Sequence, residues 1–156
     1  MSKILLSIHE RYAIDIMLGR KKWEFRRRLP YLSLKSPLET ILFYVTKPEG
    51  GFVAFGANVD RLYRYPSDEL NALWWVVEHD SPGLSRDEFF RYFKGCKEAF
   101  GVRLCNVEFL GDADVTLPLA GGRSGYIEYG LPLSFFGVKR APQNFCYISN
   151  KKETLQ

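Results

Sequence analysis

Three ionisable side chains within six residues, Lys21, Glu24 and Arg26, are the part of this sequence best suited to chemistry. A lysine holds a phosphate or carbonyl oxygen as a point charge. If it is desolvated among other cations its pKa falls and it becomes a base. Glu24 and Arg26 are two apart, so on a strand they project side by side. The simplest role for the carboxylate is an ion pair that orients Arg26. It can equally accept hydrogen bonds from the amino edge of a base, or serve as general base on a water. Arg26 offers a planar fork suited to phosphate or to stacking on a base. The trio lies in a run, residues 20–28, that carries six cations in nine positions, whereas the whole chain has a net charge of only +4. A cluster of that size attracts phosphates by Coulomb attraction and counterion release, unless it is simply a solvated surface. The expected ligand contacts are therefore Lys21, Lys22, Glu24, Arg26 and Arg28, with His9 nearby at the end of the first strand. If the protein is an enzyme, Lys21 and Glu24 are its expected catalytic pair.

Other groups carry weaker signals. Glu78 or Asp80, just before Pro82-Gly83, is placed to supply a second acid. His79 is far from His9 in sequence, and no Ser/His/Asp or Cys/His arrangement has the local context of a nucleophilic site. Residues 121–125, Gly-Gly-Arg-Ser-Gly, lack the Lys-Ser/Thr ending of a P-loop and read as a surface loop, or as a flap whose Arg123 closes on a phosphate. Tyr126 and Tyr129 follow it and are available for base stacking. Cys96, Cys105 and Cys146 are odd in number and lack C-x-x-C spacing, which argues against a disulfide framework and a zinc site. No metal and no cofactor are expected.

The elements that must position these groups can be read from periodicity. Residues 3–8 form a short apolar run, a buried first strand. Ala13, Ile14, Met17 and Leu18 share one face of a helix over 10–18, and Gly19 sits where a left-handed cap is wanted. Residues 22–28 alternate, with Trp23 and Phe25 directed into the core and Lys22, Glu24, Arg26 and Arg28 opposite. Strands are expected over 40–46 and 52–65, joined by a turn at Gly50-Gly51. Ser67 is expected to cap a helix bearing Leu70, Leu73, Trp74 and Val77. Ser85 and Glu88 form the capping box of another, with Phe89, Tyr92 and Phe93 on its buried side. Phe100, Val102 and Leu104 alternate in one phase, Val107 and Phe109 in the other, so a bulge is expected near Cys105-Asn106. Residues 144–149 form a closing strand and 151–156 a loose tail.

This order of strand, helix, strands, two helices and strands fits α+β with a mixed sheet rather than repeated βαβ units. At 156 residues the chain is expected to form one domain over 1–150. A composition of 46% apolar and 26% charged residues suits a globular core, and aromatics are abundant at 15%. No apolar run approaches the roughly 20 residues of a membrane-spanning helix, and the start lacks a signal-peptide core. The expected location is cytoplasmic, with no membrane partner.

Gly19-Arg20-Lys21-Lys22-Trp23-Glu24-Phe25-Arg26 fits the G-x-K-x-x-E-x-R motif of ASCH domains at every specified position. The opening strand and first helix are similar to the family's, and residues 141–148 resemble its ending. On this basis the chain resembles the ASCH group of the PUA-like superfamily. The resemblance implies a PUA-like mixed β-barrel with peripheral helices, a cleft beside the motif strand, and RNA or a nucleotide as partner. The resemblance also implies chemistry: some small bacterial relatives resemble hydrolases that remove an acetyl group from acetylated cytidine, and ribonuclease activity is associated with the group. One departure bears on mechanism. Where the acetylcytidine hydrolases carry threonine, a candidate nucleophile, this chain has Glu24, so hydroxyl-based acyl transfer does not carry over and only activation of water remains. The leading expectation is an RNA- or nucleotide-binding module. The alternatives are a small hydrolase of modified nucleosides or RNA, and a protein-interaction domain whose basic face is incidental.

Overall fold

The computed structural model describes residues 2–30, 38–117 and 125–148; Arg123 and the tail at 151–156 lie outside them. The near-continuous apolar run at the start becomes β1 (Ser2–His9), an inner strand. It pairs in parallel with β3 (Leu38–Thr46) and antiparallel with β8 (Phe145–Tyr147). A strand between two neighbours with both faces covered has no use for alternation. Ile4, Leu6 and Ile8 enter the main core while Leu5 enters a smaller cluster on the other face.

The helix that follows, α1 (Glu10–Met17), buries Ala13, Ile14, Ile16 and Met17 against the sheet. It stops where the sequence places glycine: Gly19 takes φ +78°, and the amides of Arg20 and Lys21 both return to the Asp15 carbonyl, at 2.8 and 3.0 Å. That left-handed turn is cheap only for glycine. It redirects the chain into β2 (Trp23–Arg26), which is four residues long rather than the seven expected. β4 (Phe52–Pro66) forms the hairpin with β3, and β5 (Glu98–Phe109) pairs with both β4 and β2. The bulge falls where the phase change put it. Asn106 has φ +50°, and Gly56 and Asn58 of β4 face Glu108 and Cys105, one extra residue on β5. β6 (Asp114–Thr116) and β7 (Tyr126–Glu128) form a small separate hairpin that periodicity did not reveal.

The order of the large sheet is β2-β5-β4-β3-β1-β8. It is mixed and curled into a half-barrel, so the architecture is α+β as expected. Its two ends approach without pairing through their backbones. Side chains bridge them instead: Arg26 Nη2 donates to the Ser7 carbonyl of β1 (2.6 Å), and Asn144 Nδ2 donates to the Arg28 carbonyl (3.3 Å). Opposite faces of β2 then serve different cores. Glu24 and Arg26 lie across from Val102 and Phe100, which belong to the main core, whereas Trp23 and Phe25 join a second cluster under two helices.

Those helices are α2 (Leu70–Val77) and α3 (Arg86–Tyr92). The capping box of α3 is formed as expected, Ser85 Oγ accepting from the Glu88 amide and Glu88 Oε1 from the Ser85 amide. Ser67 does not cap α2. It opens a short 3-10 turn instead, and its amide donates to the Lys97 carbonyl. Phe25 meets Phe89 edge-on, with ring centroids 5.3 Å apart, and so fixes α3 against the motif strand. No helix among the described residues is long and apolar enough to cross a membrane.

Asp80, just after α2, ties this helical layer to the sheet. Its Oδ2 accepts from Trp23 Nε1 (3.0 Å) and from Arg103 Nε (2.7 Å), and the Arg103 guanidinium holds its pKa below the ordinary carboxylate range. Among the described residues the Glu78 carboxylate has one ion-pair partner, its exposed neighbour His79. In urea denaturation Asp80→Ala is therefore expected to cost about 1–3 kcal/mol, by leaving the indole N–H without its acceptor. Glu78→Ala should stay within about 0.5 kcal/mol.

Candidate functional site

The seam between the two ends of the curled sheet holds a cavity of about 410 Å³, within the roughly 300–1,000 Å³ range of small-molecule sites. Lys21, Glu24 and Arg26 all line it. Lys21 comes from the turn after α1 and Glu24 and Arg26 from β2, so two neighbouring segments supply the three.

Lys21 is 3% exposed. Its Nζ donates to the Pro82 carbonyl (2.8 Å) and lies 5.0 Å from the ring centroid of Phe25 and 5.5 Å from that of Tyr12. Such ring faces attract an ammonium without hydrating it. Gly83, at φ +80°, packs so tightly that an added Cβ would overlap the Cβ, Cγ and Cδ of Lys21. Burial lowers the lysine pKa to about 8, against the opposing pull of the Glu24 and Asp15 carboxylates.

Glu24 is 6% exposed. Its Oε1 stands 3.2 Å from Arg26 Nε, an ion pair whose angles fall short of a hydrogen bond, and its Oε2 has no hydrogen-bond partner among the described residues. Arg26 is held from the other side by the Ser7 carbonyl. A carboxylate this deeply buried normally has its lone pairs satisfied, so the unpartnered Oε2 marks where the cavity can accept a hydrogen bond.

The other expected site residues separate. His9 lines the cavity from an exposed position at the start of α1. Lys22 and Arg28 are exposed and outside the lining. They flank β2 rather than belong to it, so the alternation that joined them to Glu24 and Arg26 does not extend that far. Glu78 and Asp80 do not line the cavity either, Asp80 being committed to Trp23 and Arg103. The second carboxylate in the lining is Glu88 of the capping box, which also pairs with Arg11 (2.9 Å). Its pKa is lowered, first by the hydrogen bond from the Ser85 amide. Tyr126 and Tyr129 lie outside the lining.

Sequence reasoning missed Tyr12, Tyr92, Pro82 and Gly83. Tyr12 and Tyr92 wall the cavity from α1 and α3, and burial raises the Tyr92 phenol pKa. Pro82-Gly83, in the connection between α2 and α3, seats the lysine. Among the described residues no three His, Cys, Asp or Glu side chains gather as metal ligands would. The chemistry on offer is hydrogen bonding by an ammonium and a carboxylate between aromatic walls, with an amine near neutral pKa.

The Lys21 shift has a definite sign in stability. Between pH 8 and 10.5 the unfolded chain holds a proton at Lys21 that the folded chain has lost, so this residue makes stability rise with pH across that window. Lys21→Met is expected to be more stable than the parent at pH 7 by on the order of 3 kcal/mol, an advantage that fades toward pH 10.5. Chemical denaturation of both proteins at each pH measures this difference, and a pH-independent gap would contradict it.

No family model and no curated protein matches this sequence. Solved structures do. Crystal structures of the ASCH protein from Zymomonas mobilis and of its tyrosine-to-phenylalanine variant superpose with TM-scores of 0.68 and 0.70, at 20% and 19% identity. The matches cover 97% and 99% of this chain and 91% and 96% of those chains. A serine-to-alanine variant of the same protein gives 0.69 at 20% identity, covering 98% and 92%. At this identity the likeness speaks for architecture, and it agrees with the motif at the first helix–strand corner: the chain has the ASCH fold.

Proposed function

We propose that the chain binds RNA or a nucleotide by taking one base into the cavity at Lys21, Glu24 and Arg26. The observation that carries this reading is the unpartnered Glu24 Oε2 in a hollow that the Lys21 ammonium also lines and that Tyr12, Phe25 and Tyr92 wall. A base edge presents N–H donors beside ring or carbonyl acceptors. The carboxylate takes the first and the lysine, which spends one of its three N–H bonds on Pro82, serves the second. Aromatic walls suit the face of any base.

Titration with the ribonucleosides, their monophosphates and single-stranded RNA octamers tests this directly. Lys21→Ala is expected to weaken binding about 10- to 100-fold, the worth of one hydrogen bond to a charged group. Binding should also fall as pH rises through about 8, where Lys21 loses its proton. Absence of binding by all three ligand classes would overturn the reading.

The near-neutral pKa of Lys21 supports a second reading, hydrolysis of a modified nucleoside or RNA. Here Lys21 polarises the reacting carbonyl or phosphoryl group and Glu24 takes the proton of a water. Glu24→Gln is then expected to abolish turnover of acylated nucleosides or RNA oligonucleotides while leaving binding within about tenfold. Failure of the parent protein to yield product from such a panel would refute it.

A further inference from the structure

We infer that the cavity receives its base while that base is still part of an RNA strand, with Arg27 and Arg11 holding the neighbouring phosphates. This rests on the base-binding reading above and assigns two residues outside the charged motif.

The deep cations are poorly placed for phosphate. Lys21 is committed to the Pro82 carbonyl, Arg26 to the Ser7 carbonyl and to Glu24, and a phosphate among them would also face the Glu24 carboxylate. The negative charge of a strand must therefore be met outside the hollow. Two of the cavity's walls carry a cation on their rings: Arg27 Cζ lies 4.8 Å from the ring centroid of Tyr92, and Arg11 Cζ lies 5.2 Å from that of Tyr12. The tyrosines come from different helices, and both arginines are exposed. Arg27 is fixed by donation from Nε to the Tyr92 carbonyl (2.7 Å), and no acidic side chain among the described residues pairs with it. Its terminal nitrogens, in the fork geometry that suits phosphate oxygens, are uncommitted there. Arg11 shares Nη2 with Glu88 (2.9 Å), which offsets part of its charge. Arg27 is therefore the stronger contact and Arg11 the weaker.

A guanidinium stacked on a wall residue fixes a phosphate at a set distance from the base slot. A strand can thread past the opening while one base turns in, and a free nucleoside gains nothing from either arginine.

Two ligands measured side by side test this: fluorescein-labelled single-stranded RNA octamers of mixed sequence, followed by anisotropy over a salt series, and the four unlabelled ribonucleosides, followed by ligand-detected NMR. The parent protein is expected to bind octamers more tightly than nucleosides. Arg27→Ala should weaken octamer binding roughly tenfold at low salt and reduce the slope of log K against log salt by about 0.7, the value for one single-strand phosphate contact. Adding Arg11→Ala should lower both further by a smaller step, and Arg27→Lys should restore most of the slope. Nucleoside affinities are expected to stay within about twofold throughout. The inference is overturned if the double variant keeps the parent's octamer affinity and slope, if nucleoside and octamer binding fall together, or if octamers bind no tighter than nucleosides. If the parent binds neither ligand, the base-binding reading itself has failed and takes this inference with it.

Discussion

The site exists because the sheet does not close through its backbone. β2 is one edge strand of the curled sheet, and it faces Ser7 of β1, the residue just past the stretch of β1 that β8 covers. Arg26 spans the seam instead, bound to a main-chain carbonyl on one side and to a carboxylate of its own strand on the other. Buried ion pairs are weak evidence for stability, since desolvation offsets much of their attraction. This one is better understood as a spacer. It joins β2 to β1 across the seam and keeps polar atoms on the face of β2 that lies across from the main core.

Around that spacer the two faces of a four-residue strand divide the labour. Trp23 and Phe25 turn outward to the helical layer, where Phe89, Phe93 and Leu73 pack on them. Glu24 and Arg26 turn inward to the seam. Packing on the outer face fixes the strand, and so fixes the polar pair to within the play of their own rotamers, which is what preorganised hydrogen bonding requires. α3 contributes to both sides, with Phe89 behind the strand and Glu88 and Tyr92 in front of it.

The local part of this arrangement was legible in the sequence. Glycine after an amphipathic helix, then alternating aromatic and charged residues, gives the corner and the facing of Glu24 and Arg26 without reference to the rest of the chain. The strand's length was not legible, because alternation continues through Arg28, past the last pair with β5, and through Lys22, which keeps only a carbonyl bond to Leu104 of β5. Nor were the walls. Tyr12 and Tyr92 sit on helical faces whose period says buried or exposed but not against what. Glu88 satisfied a local motif so well that a second role left no trace. Ser67 shows the opposite failure: a residue suited to capping was overridden by a backbone bond to Lys97 that only the tertiary fold supplies.

The contact between Gly83 and the stem of Lys21 couples the amine to the connection between α2 and α3. While that connection is seated, the ammonium is pinned to the Pro82 carbonyl and shielded by backbone on one flank and aromatic rings on the other. Amine-directed reagents therefore meet it from the cavity side while Pro82-Gly83 is seated, and from a second side once that segment lifts. The labelling rate of Lys21 thus reports on what fills the cavity as well as on a loop far away in sequence.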